Sequence, residues 1–217
     1  MTGILIADDQ DDIRSAFRMI LEAQPDLRVV AEAADGAAAI ELARRVRPDV
    51  VLADIRMPVL DGLEVTRALA GPGVADPIPV VVVTTFDLDE YVDTALRNGA
   101  CGFLLKRSSP ALLVEAVRAA VAGDALIGPQ ITVRLLRQLT RPAPAGAVPG
   151  PEPLTARQID IVRGVAAGKT NAEIAAELFL SHGTVKNHLA AVQRRLGLRN
   201  RVAIATWAWD NGYATQG

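Results

Sequence analysis

Five short apolar runs separated by amphipathic stretches constrain this chain more than any other feature. The runs lie at residues 4–7, 29–32, 50–53, 79–83 and 102–105. They are mostly continuous and rich in Val and Ile, as strands covered on both faces are. Between them the apolar residues take helical spacing, as at Ile13, Phe17, Ile20 and Leu21, and again at Ala39, Ile40, Ala43 and Val46. Helix starts are legible too. Asp87 with Glu90 has the spacing of a capping box, and Ser109 precedes a proline suited to a first helical turn, Pro110. Strands alternating with helices predict an α/β domain, a doubly wound five-stranded parallel sheet. In such sheets the chemistry collects beyond the carboxyl ends of the strands.

A proline-rich segment ends that pattern. Five of the 13 prolines fall within residues 141–153, and none can continue a helix, so a semi-extended linker is expected there. Just before it, Ile131, Leu135, Leu136 and Leu139 are spaced as in a connecting helix. The expected organisation is an α/β domain over 1–124, a connecting helix and linker over 125–153, and a small all-helical domain over 154–217. Charge follows the division: the overall −2 conceals −8 over residues 1–124, against +3 over 125–150 and +3 over 151–217. An acidic front and a mildly basic tail suit different partners, the second a polyanion.

Other classes are disfavoured. Half of the residues are hydrophobic and 22% are charged, which suits packed cores rather than disorder. The single cysteine, Cys101, cannot form an intrachain disulfide, and neither His is spaced with it as a zinc ligand. No apolar run approaches the ~18 residues of a membrane span. Asp8 and Asp9 also come too early for a signal-peptide core. A cytoplasmic chain with no membrane partner is the expectation.

The predicted sheet brings five polar groups to one rim. Asp8 and Asp9 follow the first strand, Asp54 ends the third, Thr84 the fourth and Lys106 the fifth. Any one Asp there reads as a solvated loop start; the whole set does not. Crowded carboxylates repel, and a hard divalent cation relieves them. Oxygen ligands with room for water suit Mg²⁺. A carboxylate is also a nucleophile toward phosphorus, and a metal with Lys106 would neutralise the phosphoryl oxygens.

The segments Asp8-Asp9, Asp54-Ile-Arg-Met-Pro58, Asp61-Gly62, Val83-Thr84-Thr85 and Phe103-Leu-Leu-Lys106 resemble the receiver domain of bacterial two-component response regulators. The resemblance runs in order through residues 3–122. It implies that Asp54 accepts a phosphoryl group from a sensor histidine kinase. Mg²⁺ would be held by Asp9, Asp54, the carbonyl of Arg56 and, through water, Asp8. Lys106 would contact the phosphoryl group, and Thr84 moving toward it would let Phe103 rotate inward. Arg107 stands where Pro or Asp is more usual. Phe86 and Arg56, two residues past Thr84 and Asp54, would hinder the hydrolytic water and prolong the phosphoryl group's life.

The tail reads as four short helices. Thr155 with Gln158 and Thr170 with Glu173 fit capping boxes, Ser181 can cap a third helix, and Gly168 and Gly197 stop the helices before them. Val185, Leu189, Val192 and Leu196 form an inward stripe. The opposite face of that helix carries Lys186, Asn187, small Ala190, Gln193 and Arg194. Such a face suits a major groove, with Asn reading adenine, Lys reading guanine and Arg holding phosphate. The weak charge of +3 by itself favours the alternative, a solvated face on an ordinary helical bundle.

Leu154-Thr-Ala-Arg157, Gly168-Lys-Thr-Asn-Ala-Glu-Ile174-Ala and Ser181-His-Gly-Thr-Val-Lys-Asn-His188 are similar to the LuxR/FixJ-type helix-turn-helix. Gln158 and Asp160 replace the more usual Glu residues, and Arg195 a frequent Lys. The resemblance implies base-edge contacts from Lys186, Asn187 and Ala190. It places Thr170, Asn171, Ser181, Thr184 and Arg194 nearer the DNA backbone, and His188 beside them in a phosphate or packing role.

Together the two resemblances imply a NarL/FixJ-type regulator, not an enzyme, that binds a double-stranded operator as a phosphorylation-induced homodimer. Its receiver would pair either through the first and fifth helices, near Ile13, Phe17, Leu113 and Val117, which can equally be core residues, or through the fourth and fifth. One rival is a Mg²⁺-dependent aspartyl-phosphate phosphatase of the haloacid-dehalogenase type, which needs a second Asp where this chain has Arg56. The other is a protein-interaction adaptor, against which the match over residues 168–188 counts.

Overall fold

A computed structural model describes residues 1–85, 89–128 and 154–213, without the side chains of 89 and 90. The expected connecting helix and linker, Phe86 and the Asp87–Glu90 capping box lie outside the described residues or their side chains. The chain divides into two compact units, Met1–Leu136 and Arg137–Gly217.

In the first unit the strands are β1 (Thr2–Ala7), β2 (Leu27–Ala33), β3 (Val50–Ala53), β4 (Val80–Thr84), β5 (Gly102–Leu105) and β6 (Leu126–Ile127). The helices are α1 (Asp11–Glu22), α2 (Gly36–Val46), α3 (Gly62–Ala70), α4 (Asp89–Arg97) and α5 (Pro110–Ala122). All pairings are parallel, in the order β2-β1-β3-β4-β5-β6. The sheet thus has one strand more than expected. Two residues are too few to show a period, and β6 exists only through its pairing with β5.

Alternation along each strand supplies two cores. Leu5, Ala7, Val51, Ala53, Val80, Val82 and Phe103 face α2, α3 and α4 residues such as Ala39, Ala43, Val65, Leu69 and Ala95. Ile4, Ile6, Leu52, Val81, Val83 and Leu104 face Phe17 and Leu21 of α1 and Leu113, Ala116 and Val117 of α5. Small Ala and Val side chains let helices approach the sheet closely, which explains how so few aromatics suffice. Cys101, just before β5, donates its thiol to the Val80 carbonyl at 3.3 Å, and burial pushes its pKa up to about 12.

The caps fix where the helices begin. Asp35 accepts from Ala38 N–H to start α2, and Ser109 accepts from Leu112 N–H with Pro110 in the first turn of α5. Asp61 and Glu64 close a reciprocal capping box at α3. Gly62 is required there by space: a Cβ on it would stand 2.0 Å from the Asp54 carbonyl oxygen. Val59 adopts a positive φ of 67° with its side chain exposed, and Leu60 N–H reaches the Pro58 carbonyl across it.

The second unit holds α6 (Ala156–Ala166), α7 (Asn171–Glu177), α8 (His182–Leu196) and α9 (Arg201–Asp210). Both expected capping boxes form, Thr155 with Gln158 and Thr170 with Glu173, and Ser181 caps α8. Ile161, Val162, Val165, Ile174, Val185, Leu189, Val192, Ile204 and Ala208 make a separate core. Among the described residues no helix is long and apolar enough to cross a membrane.

Candidate functional site

The parallel register brings the carboxylates together. Ala7 of β1 lies opposite Ala53 of β3, so the next residues, Asp8 and Asp54, emerge side by side where the strand order reverses. Asp54 N–H donates to the Ala7 carbonyl at 2.8 Å and fixes that pairing. Oxygens of Asp8, Asp9 and Asp54 lie within 4.8 Å of one another.

Lys106, leaving β5, is held by its N–H on the Thr84 carbonyl. It reaches over β4 to place Nζ 2.6 Å from Asp8 Oδ2 and 2.8 Å from Asp54 Oδ2. Burial alone would lower the Lys106 pKa; the two carboxylates outweigh it and hold the ammonium above the usual lysine range. Burial raises the pKa of Asp8 against the opposing pull of Lys106 and of Gln10 N–H.

The oxygens of the cluster differ in what remains open. Asp8 uses one on Lys106 and the other on Gln10 N–H at 3.0 Å. Asp9 is exposed. Asp54 Oδ1 is buried and, among the described residues, has no hydrogen-bond partner. A buried anionic oxygen without a partner is costly, and a cation answers it directly. An all-oxygen set with an exposed third carboxylate fits Mg²⁺ and its retained waters. Arg56 is exposed two residues on.

Thr84 and Phe103 are both fully buried. The ring of Phe103 already packs among the α2, α3 and α4 side of the core, paired across the sheet with Val82 and Ile127. Alternation along β5 aims the ring inside. Phe17, Leu113 and Val117 are core residues, one of the two readings their sequence positions allow.

In the second unit α8 exposes Lys186, Asn187 and Arg194 and half-exposes Thr184, His188, Ala190 and Gln193, while Val185, Leu189 and Val192 point inward. Thr170 and Ser181 are exposed caps. Asn171 departs from expectation. It is fully buried, its Oδ1 accepting from Arg201 Nη1 at 2.7 Å, so it ties the start of α7 to α9 instead of facing a DNA backbone. Arg201 also donates to the Lys169 carbonyl. That clasp was invisible in the sequence because its partners are 30 and 32 residues apart. Gln158, a departure from the usual Glu, completes its capping box and also accepts from Arg195 at 3.2 Å.

A family model for the response regulator receiver domain matches residues 4–118, and one for the luxR family of bacterial regulatory proteins matches residues 152–208. The chain belongs to the response regulators. The transcriptional regulatory protein LiaR of Bacillus subtilis is 36% identical over 211 residues, covering 97% of this chain and 98% of LiaR. The nitrate/nitrite response regulator NarP of Escherichia coli is 38% identical over 201 residues, covering 92% and 91%. The solved structure of the response regulator ChrA from a heme-sensing two-component system is 35% identical over 98% of both chains, with a TM-score of 0.53. As a response regulator with a LuxR-type domain, the chain is a phosphorylation-controlled transcriptional regulator. The phosphatase reading is not favoured.

Proposed function

We propose that Asp54 is the phosphoacceptor and that phosphorylation by a sensor histidine kinase promotes dimerisation and operator binding. The observation that carries this is the asymmetry of the Asp54 carboxylate: Oδ2 faces the Lys106 ammonium, and Oδ1 is buried without a partner beside Asp8 and Asp9. In the transfer an Asp54 oxygen forms the new O–P bond as the P–N bond to the kinase's phosphohistidine breaks, and the imidazole leaves with the electron pair. Lys106 stabilises the charge on the transferred group. Asp9, Asp54 and the Arg56 carbonyl, with Asp8 through water, are the residues to hold Mg²⁺, which would neutralise phosphoryl oxygens. Thr84 supplies a hydroxyl on the same rim.

On the DNA side, Lys186, Asn187 and Ala190 read base edges, while Thr170, Ser181, Thr184, His188 and Arg194 lie along the backbone. The domains run over 1–124 and 154–217, with 125–153 between them. The chain works in the cytoplasm and turns over no free substrate.

The test is incubation with acetyl phosphate and Mg²⁺. The wild-type chain gains the mass of one phosphoryl group and Asp54→Asn gains none; undiminished labelling of that variant would overturn the assignment.

A further inference from the structure

The turn between α7 and α8 contains a residue whose type its own backbone argues against. Helix α7 closes with a double hydrogen bond: Leu180 N–H reaches back to the Ala175 carbonyl at 2.8 Å, and Phe179 N–H to the Ala176 carbonyl. That closure demands a left-handed residue at position 179, where glycine is favoured because a Cβ is strained. Helices α6 and α9 end on the same pair of bonds, and there the left-handed residues are Gly168 and Gly212. At the end of α7 it is Phe179, with φ at 55°.

Packing does not explain the choice. Leu178 and Leu180 on either side pack against the core of the second unit, whereas Phe179 is 96% exposed. A large apolar ring in a strained slot, returning nothing to the fold, acts on something outside the chain. Its position says what. Phe179 lies two residues before Ser181, the N-cap of α8. In a helix-turn-helix the first turns of the second helix enter the major groove, so a side chain just ahead of its cap falls at the groove edge, where the sugar–phosphate wall runs. An uncharged ring offers nothing to phosphate oxygens but covers the apolar face of a deoxyribose.

We propose that Phe179 packs on the deoxyribose backbone at the edge of the operator half-site, a contact that strengthens DNA binding without reading sequence. This rests on the DNA-binding reading of α8. The contact should obey two rules. Because it touches sugar, its loss weakens matched and mismatched duplexes alike. Because it neutralises no phosphate, its loss leaves the salt dependence unchanged.

The experiment uses the full-length chain with Mg²⁺ and acetyl phosphate, and duplexes that the wild-type chain enriches from a random pool. Phe179→Gly and Phe179→Asn both suit the left-handed slot and remove the ring. Both tryptophans, Trp207 and Trp209, belong to the second unit, so their fluorescence reports its unfolding separately. The expected result is a midpoint raised by a few degrees in Phe179→Gly. With it, both variants lose about three- to tenfold in affinity on every duplex, with an unaltered slope of log affinity against log salt. Unchanged affinity in both variants would overturn the proposal and assign the ring to a protein surface instead. A changed salt slope would also overturn it, since phosphate contacts would then have moved. If the wild-type chain itself enriches no duplex, the DNA-binding reading fails, and this contact with it.

Discussion

Gly62 shows how closely the candidate phosphoacceptor is braced. With a Cβ 2.0 Å from the Asp54 carbonyl oxygen, Gly62→Ala must push the main chain of Asp54 or the start of α3 aside. The expected cost is about 1–3 kcal/mol in denaturant unfolding, with slower phosphoryl uptake by mass spectrometry. Val59 offers the reverse case. Its side chain is exposed and its φ is 67°, a conformation that strains a β-branched residue, so Val59→Gly should stabilise the receiver by about 1 kcal/mol in the same assay. At this scale the sequence disclosed charge well and burial poorly. Asp8, Asp9, Asp54 and Lys106 were legible because strand ends in a parallel sheet converge on one rim. Asn171 was misread because its environment depends on Arg201. The conformation of Phe179 had no signal at all, since nothing in Leu-Phe-Leu marks a left-handed residue.

Among the elements, α5 is tied to the turn before β2 by Arg118, which donates to both carboxylate oxygens of Asp26 at 3.0 and 3.1 Å. The guanidinium holds the Asp26 pKa below its ordinary 3.8. A carboxyl depressed on folding stabilises the fold above its unfolded pKa, and that contribution is lost as pH falls through the folded value. Arg118→Ala should therefore return the Asp26 titration, followed by NMR, upward to the ordinary range and remove this source of acid sensitivity. An unmoved Asp26 would show that the pair has no influence in solution. The elements themselves were largely legible. Val and Ile runs bounded by turns located β1 to β5 to within a few residues, and side-chain caps located α5, α6, α7 and α8. The sixth strand was missed because two residues carry no pattern, and α1 has Gln10 at its N-cap with no side-chain hydrogen bond to announce it.

For the whole molecule, the division into an acidic sheet domain and a basic helical one was readable from prolines and charge, whereas which surfaces meet in an assembly is written in neither. Trp209 gives one handle. It is 56% exposed on α9, while Trp207, two positions earlier, stacks on Tyr213 with ring centres 5.3 Å apart. An exposed tryptophan is a frequent interface anchor. Trp209→Ala should weaken binding to a two-half-site operator more than to a single half-site, as measured by gel shift; equal losses would remove Trp209 from any subunit contact. Because the receiver and tail have separate cores, phosphorylation is expected to act by joining two chains, raising the effective concentration of one tail beside the other. Light scattering should then show the phosphorylated wild type, but not Asp54→Asn, moving from one copy to two. The chemistry of Cys101 makes such an assembly unusually easy to measure. Burial pushes the pKa of its thiol up to about 12, which disfavours the nucleophilic thiolate. A cysteine introduced on the surface of either domain would react with a maleimide spin label ahead of it, with no cysteine-free background to engineer. Inter-label distances between two such chains would then map the paired state directly, domain by domain, on the native scaffold.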